Sequence, residues 1–352
     1  MKRRGSLDFL KILATVFIVF HHYQQVLGVK YPTGVNFYAG GFSWEYMVEL
    51  FFMISGFVML PWCRRITENE TGSDFKSFIL RRYRRIVPML AVTAVCYELM
   101  SAVIIRAAPL LVDEFTELSI WETVCNILCI QNGWCVGTGM INFPTWYICV
   151  LMLCYIIFWL ITDLCRRKNC SPVYGYLFMI MLGFSLCETK TNIPFFNLYT
   201  ARGFISFFLG ILIATADDRY ELHGFFRTVF YILFALAILF TPDVERENSI
   251  RYLFLPLIVL IFTSERVERL FTAKLWATLG AIQFHTYLWH VIVIESMRVI
   301  IAYTGAAVEK RVYMFITLIA AELVGTLSYF LLDKNADRLF TAILPKRKAN
   351  AQ

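Results

Sequence analysis

The hydrophobic positions of the chain fall into ten runs of 14 to 23 residues, separated by polar segments. A transmembrane helix needs about 20 predominantly apolar residues. The pattern therefore predicts an all-α fold, a polytopic membrane bundle of about ten helices. The predicted spans are 7–27, 45–62, 86–105, 143–163, 171–187, 198–216, 225–241, 250–263, 275–297 and 312–332. The eighth run is short, so we expect it to tilt or to borrow flanking residues.

The basic residues are distributed unevenly between the two sides of this bundle. With the amino terminus inside, 23 of the 33 Lys and Arg residues fall in inner segments. Inner loops of membrane proteins carry an excess of these residues. We therefore predict that both termini are cytoplasmic, as an even number of spans requires, in a multi-pass protein of the cell membrane.

The composition supports a single membrane unit. Hydrophobic residues make up 59% of the 352 residues and charged residues 17%, whereas soluble domains carry about 25% charged residues. We assign residues 1–335 to one transmembrane domain and 336–352 to a short basic cytoplasmic tail. The net charge of +7 is explained by topology, so we expect a lipid bilayer partner and no nucleic acid.

Polar side chains form a stripe along the first span. Arg4, Asp8, Lys11 and His22 follow helical steps of three and four residues through Thr15 and Ile18, and His21 falls off the stripe. His22 lies 14 residues beyond Asp8, or roughly 21 Å along a helix. Either the end of the helix is wet and the histidine interfacial, or His22 is a functional group inside the membrane.

Two further ionisable residues are expected at the depth of His22. Glu49 in the second span and His290 in the ninth each lie roughly 20–22 Å from the inner side, and Arg202 in the sixth span could join them. A carboxylate beside an imidazole orients the ring and raises its basicity. The pattern resembles no metal site, so we expect no metal.

The segment 63–85 is the most basic part of the chain. It ends with Arg81, Arg82, Arg84 and Arg85, directly before a span predicted to begin near Pro88. These arginines either anchor the chain on anionic lipid or hold phosphate groups, because the guanidinium fork matches phosphate oxygens.

The outer segment 106–141 contains a stretch, LSIWETVCNILCI, that is typical of an amphipathic helix at the membrane surface. It either lines an acceptor groove or serves as a packing lid. Cys125, Cys129 and Cys135 in this segment match no zinc pattern and leave a disulfide open.

A histidine this deep is inaccessible to a broad, water-soluble substrate. A long, thin acyl donor can reach it, and a phosphopantetheine thioester has that shape. Its charged nucleotide end would rest on the inner arginines and lysines, and its acyl group would lie at the far tip.

Several motifs occur in a characteristic order. They are Arg4, Asp8, Lys11 and His22 as R-x3-D-x2-[RK]-x10-H; VELFFMISGF at 48–57; FILRRYRRIVP at 78–88; Trp146 and Tyr155 as W-x8-Y; FFLG at 207–210; and LG…YLWH at 279–290. In this combination the sequence resembles the acyltransferase-3 family of bacterial membrane O-acyltransferases. It departs from the family at Gln283–His285, Leu151 and Asp333–Lys334, which bears on acceptor identity.

The resemblance implies transfer of an acetyl or other short acyl group from acetyl-CoA to a hydroxyl of a cell-surface or lipid-linked glycan, in the bacterial plasma membrane. His22 would be the general base or a transient acyl carrier, and Glu49 would orient it. The remaining residues would bind the donor or shape the substrate pocket. The donor-binding set is Arg4, Lys11, Arg81, Arg82 and Arg85; the pocket set is Asp8, Ser55, Trp146, Tyr155, Arg202 and His290.

Two other functions are compatible with buried polar groups. A transporter or flippase would use the His/Glu layer as a relay, although no pair of broken helices in corresponding halves favours it. A non-catalytic envelope scaffold would leave that layer without a purpose.

Overall fold

The polar stripe of the first span faces the interior of the protein. In the computed structural model, residues 5–27 form helix α1 (Gly5–Leu27), which ends at Gly28 in the left-handed conformation, with φ 60°. Asp8, Thr15 and His22 are buried, as the helical spacing predicts. The structure describes residues 3–32, 34–40, 42–113, 116, 118–135, 141–220, 229, 246–272, 274–305 and 309–333.

The described chain is helical and contains no β-strand. After α1 the helices are α2 (Met47–Phe57), α3 (Leu60–Thr67), α4 (Phe75–Ala107), α5 (Ile120–Ile127), α6 (Gln131–Trp134), α7 (Trp146–Arg167), α8 (Pro172–Thr189), α9 (Leu198–Tyr220), α10 (Arg246–Ser249), α11 (Leu255–Phe262), α12 (Glu265–Glu268), α13 (Lys274–Thr304) and α14 (Lys310–Ser328). A π-helical turn, Ile250–Phe254, joins α10 to α11, and another, Tyr329–Asp333, follows α14.

Eight helical segments within these ranges are long and apolar enough to cross a membrane. They correspond to eight of the ten predicted spans, which confirms the helical, multi-pass membrane fold. The predicted seventh span, 225–241, apart from residue 229, and the basic tail lie outside the described residues. The predicted eighth span corresponds to α10, the π-helical turn and α11, which together run from Arg246 to Phe262 and are shorter than a full span.

The first and ninth predicted spans pack side by side and run in the same direction. Asp8 of α1 lies against Gly280 of α13, and His22 lies against His290 further along both helices. Helix α14 then runs back: Ile294 of α13 clusters with Tyr313 and Met314 near the start of α14, whereas the earlier His285 lies 3.6 Å from Asp333 beyond its end. Both ends of the described chain are therefore at one end of the bundle.

A glycine contact sets the distance between α2 and α9. A Cβ on Gly56 would collide with the carbonyl oxygen of Phe207, and a Cβ on Gly210 would collide with that of Met53. Lipid tails are as apolar as side chains, so the hydrophobic effect does not drive helices together inside a membrane. Helix association there depends on van der Waals contact, which close backbone packing provides. The contact fixes the position of the residues of α2 between Met53 and Gly56, including Ser55.

Helix α4 begins earlier than predicted. The sequence places its start near Pro88, but the helix runs from Phe75, so the arginine motif lies on its first three turns and Pro88 is inside it. The reason is an amino-terminal cap, in which Asp74 accepts a hydrogen bond from the backbone N–H of Ser77 at 3.0 Å.

Removing this cap is expected to destabilise the protein. Hydrogen bonds from Ser77 hold the pKa of Asp74 below its ordinary value. A carboxylate with a lowered folded-state pKa stabilises the fold at neutral pH, and the stabilisation is lost as the pH falls through that pKa. Asp74→Ala should cost about 1 kcal/mol at pH 7, measured as a lower melting temperature in detergent, and the difference from wild type should shrink below about pH 4.

Asp74→Asn is the matched control for this prediction. Asparagine is an equally good cap but does not titrate, so this variant should remain near wild-type stability at pH 7. An Asp74→Ala variant that melts with the wild type at pH 7 would contradict the proposed cap.

The amphipathic stretch of the outer segment forms the short helix α5. Its apolar Ile120, Trp121 and Val124 are exposed, whereas Glu122 and Asn126 are buried. A helix with its apolar side outward is suited to lie against lipid, which agrees with the predicted surface helix. The cysteines of this region form no disulfide, and burial raises the pKa of Cys129 to about 12.

Candidate active site

A cavity of about 380 Å³ opens among α1, α2, α3, α4, α7 and α13. It lies at the end of the bundle where α1 and α13 begin, which is the predicted cytoplasmic end. Lys11, Arg81, Arg82 and Arg85 line its mouth, and Ser55 and Tyr155 line it further in. The structure therefore gathers six predicted site residues from four separate helices around one space.

Aromatic rings hold the arginines of the mouth. The guanidinium of Arg82 lies 3.5 Å from the ring centre of Phe78, 4.6 Å from that of Tyr155 and 5.1 Å from that of Trp62. Arg65 and Arg81 also lie over Trp62. Cation–π contacts hold a guanidinium in place without neutralising its charge.

The positive charge of the mouth is available to a ligand. Across the described ranges, no carboxylate forms an ion pair with Arg81, Arg82 or Arg85. Arginine binds phosphate through two parallel hydrogen bonds. A mouth built from several unneutralised arginines thus suits a ligand with phosphate groups.

Lys11 is oriented by Asp8. The ammonium of Lys11 lies 3.1 Å from the buried Asp8 carboxylate, which also binds Arg3 at 2.7 Å. Gly280 makes this possible, because a Cβ at that position would collide with the Asp8 side chain. Asp8 itself was predicted in the pocket, but it acts behind Lys11 rather than lining the cavity.

Arg4 does not line the cavity, so the structure does not bring it together with the other predicted donor-binding residues. Its guanidinium donates to the carbonyl oxygen of Thr263, at the end of α11, and lies over Phe57. The neighbouring backbone N–H groups of Gly5 and Ser6 donate to Glu268 at 2.9 and 3.2 Å. Arg4 and the first residues of α1 thus bind the start of this helix to the segment 263–268.

The structure brings His22 and His290 together, as the depth argument predicts. The two rings lie 5.2 Å apart, and Phe143 stacks edge-on against His22 at 5.0 Å. Nδ1 of His22 lies 2.9 Å from Oε1 of Gln25, and Nδ1 of His290 lies 2.6 Å from the carbonyl oxygen of Tyr287.

These hydrogen bonds select one tautomer for each ring. A carbonyl or amide oxygen only accepts, so Nδ1 of each imidazole donates and carries the hydrogen. Nε2 of His22 then holds the lone pair, and within the described chain it has no hydrogen-bond partner. The arrangement leaves the basic Nε2 of His22 without a hydrogen bond, on a ring that lies beside His290.

The structure does not pair Glu49 with His22, unlike the expected carboxylate–imidazole contact: the Nδ1 partner of His22 is Gln25. The Glu49 carboxylate is fully buried and binds Arg202 at 2.8 and 3.0 Å and Arg251 at 2.9 Å. The physical reason is charge: two buried guanidinium groups attract the carboxylate more strongly than a neutral ring does.

Two other predicted pocket residues belong to this ion cluster. Arg202 bridges Glu49 and Glu45 and does not join the histidines. Trp146 stacks on the Arg202 guanidinium at 5.0 Å and on Tyr199 at 4.8 Å, and it does not line the cavity. Trp146 was placed in the substrate pocket from its motif and Arg202 from its depth, whereas in the structure both help to pack α2, α7 and α9.

A comparison with protein families decides the class of the protein. Residues 4–330 match the model of the acyltransferase-3 family, described as an acyltransferase domain. The chain belongs to the acyltransferase-3 family. No curated protein and no solved structure matches it in the same comparisons. The protein is accordingly a multi-pass membrane acyltransferase, and its family assignment confirms the resemblance seen in the sequence.

Some residues that contact the site of this acyltransferase were not identified from the sequence. Arg251 binds Glu49, yet it lies in the short eighth span, where any charge should have been noted. Gln25 carries no sequence signal beyond its position three residues after His22. Tyr147, Tyr287 and Phe51 line the end of the cavity that is farthest from its mouth. In the sequence they are indistinguishable from other aromatic residues of membrane helices.

Among the residues that the structure describes, no group of three or more His, Cys, Asp and Glu side chains could hold a metal ion. The chemistry that the site itself offers is cation-assisted binding at the mouth and proton transfer at the histidine pair.

Proposed function

We propose that this acyltransferase moves an acetyl or other short acyl group from acyl-CoA to a hydroxyl of a cell-surface or lipid-linked glycan, in a bacterial plasma membrane. The observation that supports the proposal is that a charged site and a histidine site lie one beyond the other. Lys11 and arginines without ion pairs surround the mouth of the cavity, and the His22–His290 pair lies beyond the opposite end of the cavity.

The geometry matches a long donor with charge at one end. Lys11 and His22 are 11 residues apart on α1, or roughly 16 Å. The nucleotide phosphates of acyl-CoA would bind Arg81, Arg82 and Arg85, with the pantetheine arm passing Ser55 and Tyr155. The thioester would then lie beside His22.

In the proposed reaction His22 acts as the general base. Its Nε2 takes the proton of the acceptor hydroxyl while that oxygen attacks the thioester carbonyl. The carbon–sulfur bond breaks, and the leaving thiolate of CoA takes the proton from His22. The hydrogen bond from Nδ1 to Gln25 holds the ring in the required tautomer throughout.

The proposal is tested by following the acyl group. The purified protein in nanodiscs is supplied with radiolabelled acetyl-CoA and an envelope extract as the source of acceptors. We expect release of CoA and recovery of the label in a base-labile ester of the glycan fraction. Failure to bind acetyl-CoA together with failure to transfer label would overturn the proposal.

The role of Arg85 can be separated from a role in topology. Losing one charge-assisted contact costs about 1.5–3 kcal/mol, so Arg85→Ala should raise the donor KM about tenfold or more while changing kcat little. Arg84 is the matched control, because it has the same charge on the same helix but does not line the cavity. Arg84→Ala should leave KM unchanged, and equal values for both variants would make Arg85 a membrane-anchoring residue.

A further inference from the structure

Three aromatic rings lie between the cavity and the histidine pair. Phe51 of α2, Tyr147 of α7 and Tyr287 of α13 all line the cavity, and their ring centres are 5.6 to 5.9 Å from one another. They form a closed triangle, here called the ring layer. On the proposed donor path, the pantetheine arm of acyl-CoA has to cross this layer before the thioester reaches His22.

The covalent structure of the arm determines which of its groups lies at the ring layer. Tyr287 precedes His290 by three residues on α13, a rise of about 4.5 Å, and the two rings are 5.6 Å apart. In the arm, three covalent bonds join the thioester sulfur to the nearest amide nitrogen, a distance of about 4 Å when extended. With the thioester beside the histidines, this amide is therefore at the level of the ring layer.

The Tyr147 hydroxyl is the polar group of the layer that a ligand can use. It lies 3.4 Å from Oγ of Ser55, which also lines the cavity, whereas O–H···O hydrogen bonds are usually about 2.5–3.0 Å long. Tyr147 is only 8% exposed, so its hydroxyl is buried with a weak partner, which is unfavourable for a polar group. The contact with Ser55 also places this hydroxyl on the side of the layer that faces the cavity.

The other two rings offer the arm no such group. The Tyr287 hydroxyl donates to the carbonyl oxygen of Pro144 at 2.6 Å, so its hydrogen is already used. Phe51 has no polar group and is only partly buried, so its ring can swing aside for the arm without losing a hydrogen bond. Tyr147 can therefore keep its place while the arm passes.

We propose that Tyr147 is a donor-binding residue, whose hydroxyl donates a hydrogen bond to the carbonyl oxygen of the arm amide nearest the thioester. The inference rests on the proposed function, in which acyl-CoA enters through the cavity. On binding, the hydroxyl exchanges its long contact with Ser55 for a bond to the arm. A site that hydrogen-bonds a ligand group discriminates against an analogue that lacks it, so the enzyme recognises the arm as well as the nucleotide.

Removing the hydroxyl tests the proposal. Tyr147→Phe keeps the ring and loses only the hydroxyl. The probes are free CoA and the adenosine bisphosphate of CoA, which lacks the arm, and the measurement is the equilibrium Kd for the protein in nanodiscs. A neutral hydrogen bond contributes about three- to tenfold in affinity. The variant should therefore bind CoA more weakly by this factor and bind the bisphosphate as the wild type does.

A modified ligand removes the other partner of the same hydrogen bond. The probe is a CoA analogue with methylene groups in place of the amide nearest the sulfur. The wild type should bind it more weakly than CoA, and the ratio of the two Kd values should be about three- to tenfold smaller in Tyr147→Phe, because the two changes remove one shared interaction. The wild-type comparison also keeps the test valid if Tyr147→Phe does not fold.

Tyr176 is the control for loss of a buried hydroxyl elsewhere in the bundle. Its side chain is fully buried and its hydroxyl lies 2.7 Å from Oγ1 of Thr162, but it does not line the cavity. Tyr176→Phe should therefore leave the Kd for CoA unchanged.

The outcomes separate this inference from the function on which it rests. A Tyr147→Phe variant that binds CoA as tightly as the wild type, or that weakens CoA and the bisphosphate alike, would overturn the role of Tyr147 and leave donor binding established. A wild type that binds the analogue as tightly as CoA would do the same. A wild type that binds neither CoA nor the bisphosphate would overturn the proposed function itself, and the inference with it.

Discussion

His22→Ala is expected to lose acyl transfer by a factor of about 10² to 10⁴, the usual contribution of a general base. The alanine side chain removes Nε2, the one basic nitrogen that the Gln25 hydrogen bond leaves free at this position. Membrane insertion and the melting temperature should change little, because the ring has no ion pair to lose. The measurement is the transfer of label from acetyl-CoA by the variant in nanodiscs, after its folding is checked by size-exclusion chromatography.

His21 is the matched control for this loss. It is the preceding residue and the same side chain, but it lies off the polar stripe and its Nδ1 bonds the carbonyl oxygen of Phe37 at 2.8 Å. His21→Ala should therefore keep most of the transfer. Equal losses in both variants would indicate a shared packing role, and full transfer by His22→Ala would remove this residue from the chemistry.

Glu49→Ala is expected to destabilise the protein by about 3–5 kcal/mol, because it leaves Arg202 and Arg251 as buried charges without their carboxylate. Both guanidinium groups lie within 3.0 Å of Glu49 oxygens. Such a loss is a large part of the stability of a membrane domain. We expect low yields of folded protein, measured by fluorescence-detected size-exclusion chromatography and thermal unfolding in detergent.

Glu45, in the 3-10 turn Trp44–Tyr46 just before α2, provides a control. It pairs with the same Arg202 at 3.3 Å, but 40% of its side chain is exposed, and exposed ion pairs contribute about 0–1 kcal/mol. Glu45→Ala should therefore fold almost as well as the wild type. A Glu49→Ala variant that folds normally and only loses transfer would restore the direct catalytic role that the sequence suggested for Glu49.

The fold was predictable because the bilayer imposes strong local rules. Apolar runs of about the length needed to cross a bilayer identified eight of the helices that the structure describes. The uneven distribution of basic residues between the two sides indicated their orientation. The start of α4 was misplaced, because a proline was read as a boundary although the cap at Asp74 lies 14 residues earlier. Local signals thus fixed which segments are helical better than they fixed where each helix begins.

The site was predictable only as far as depth along a helix determines it. Depth put His22 and His290 at the same level in the membrane, but it could not show which helices are neighbours. Glu49 lies at a similar depth and yet faces Arg202 and Arg251 instead. The choice between those partners depends on long-range packing of α2 against α9 and α11, which no spacing within one helix records.

The parallel pairing of α1 with α13 has a consequence for biosynthesis. His22 and His290 are 268 residues apart in the sequence, and chain synthesis at about 5–20 residues per second separates their emergence by roughly 15 to 50 s. During that interval the buried carboxylate of Asp8 lacks the helix that later covers it. Co-translational assembly must therefore shelter the polar side of α1 within the translocon or against earlier helices, and the enzyme becomes active only after nearly all of the chain has been inserted.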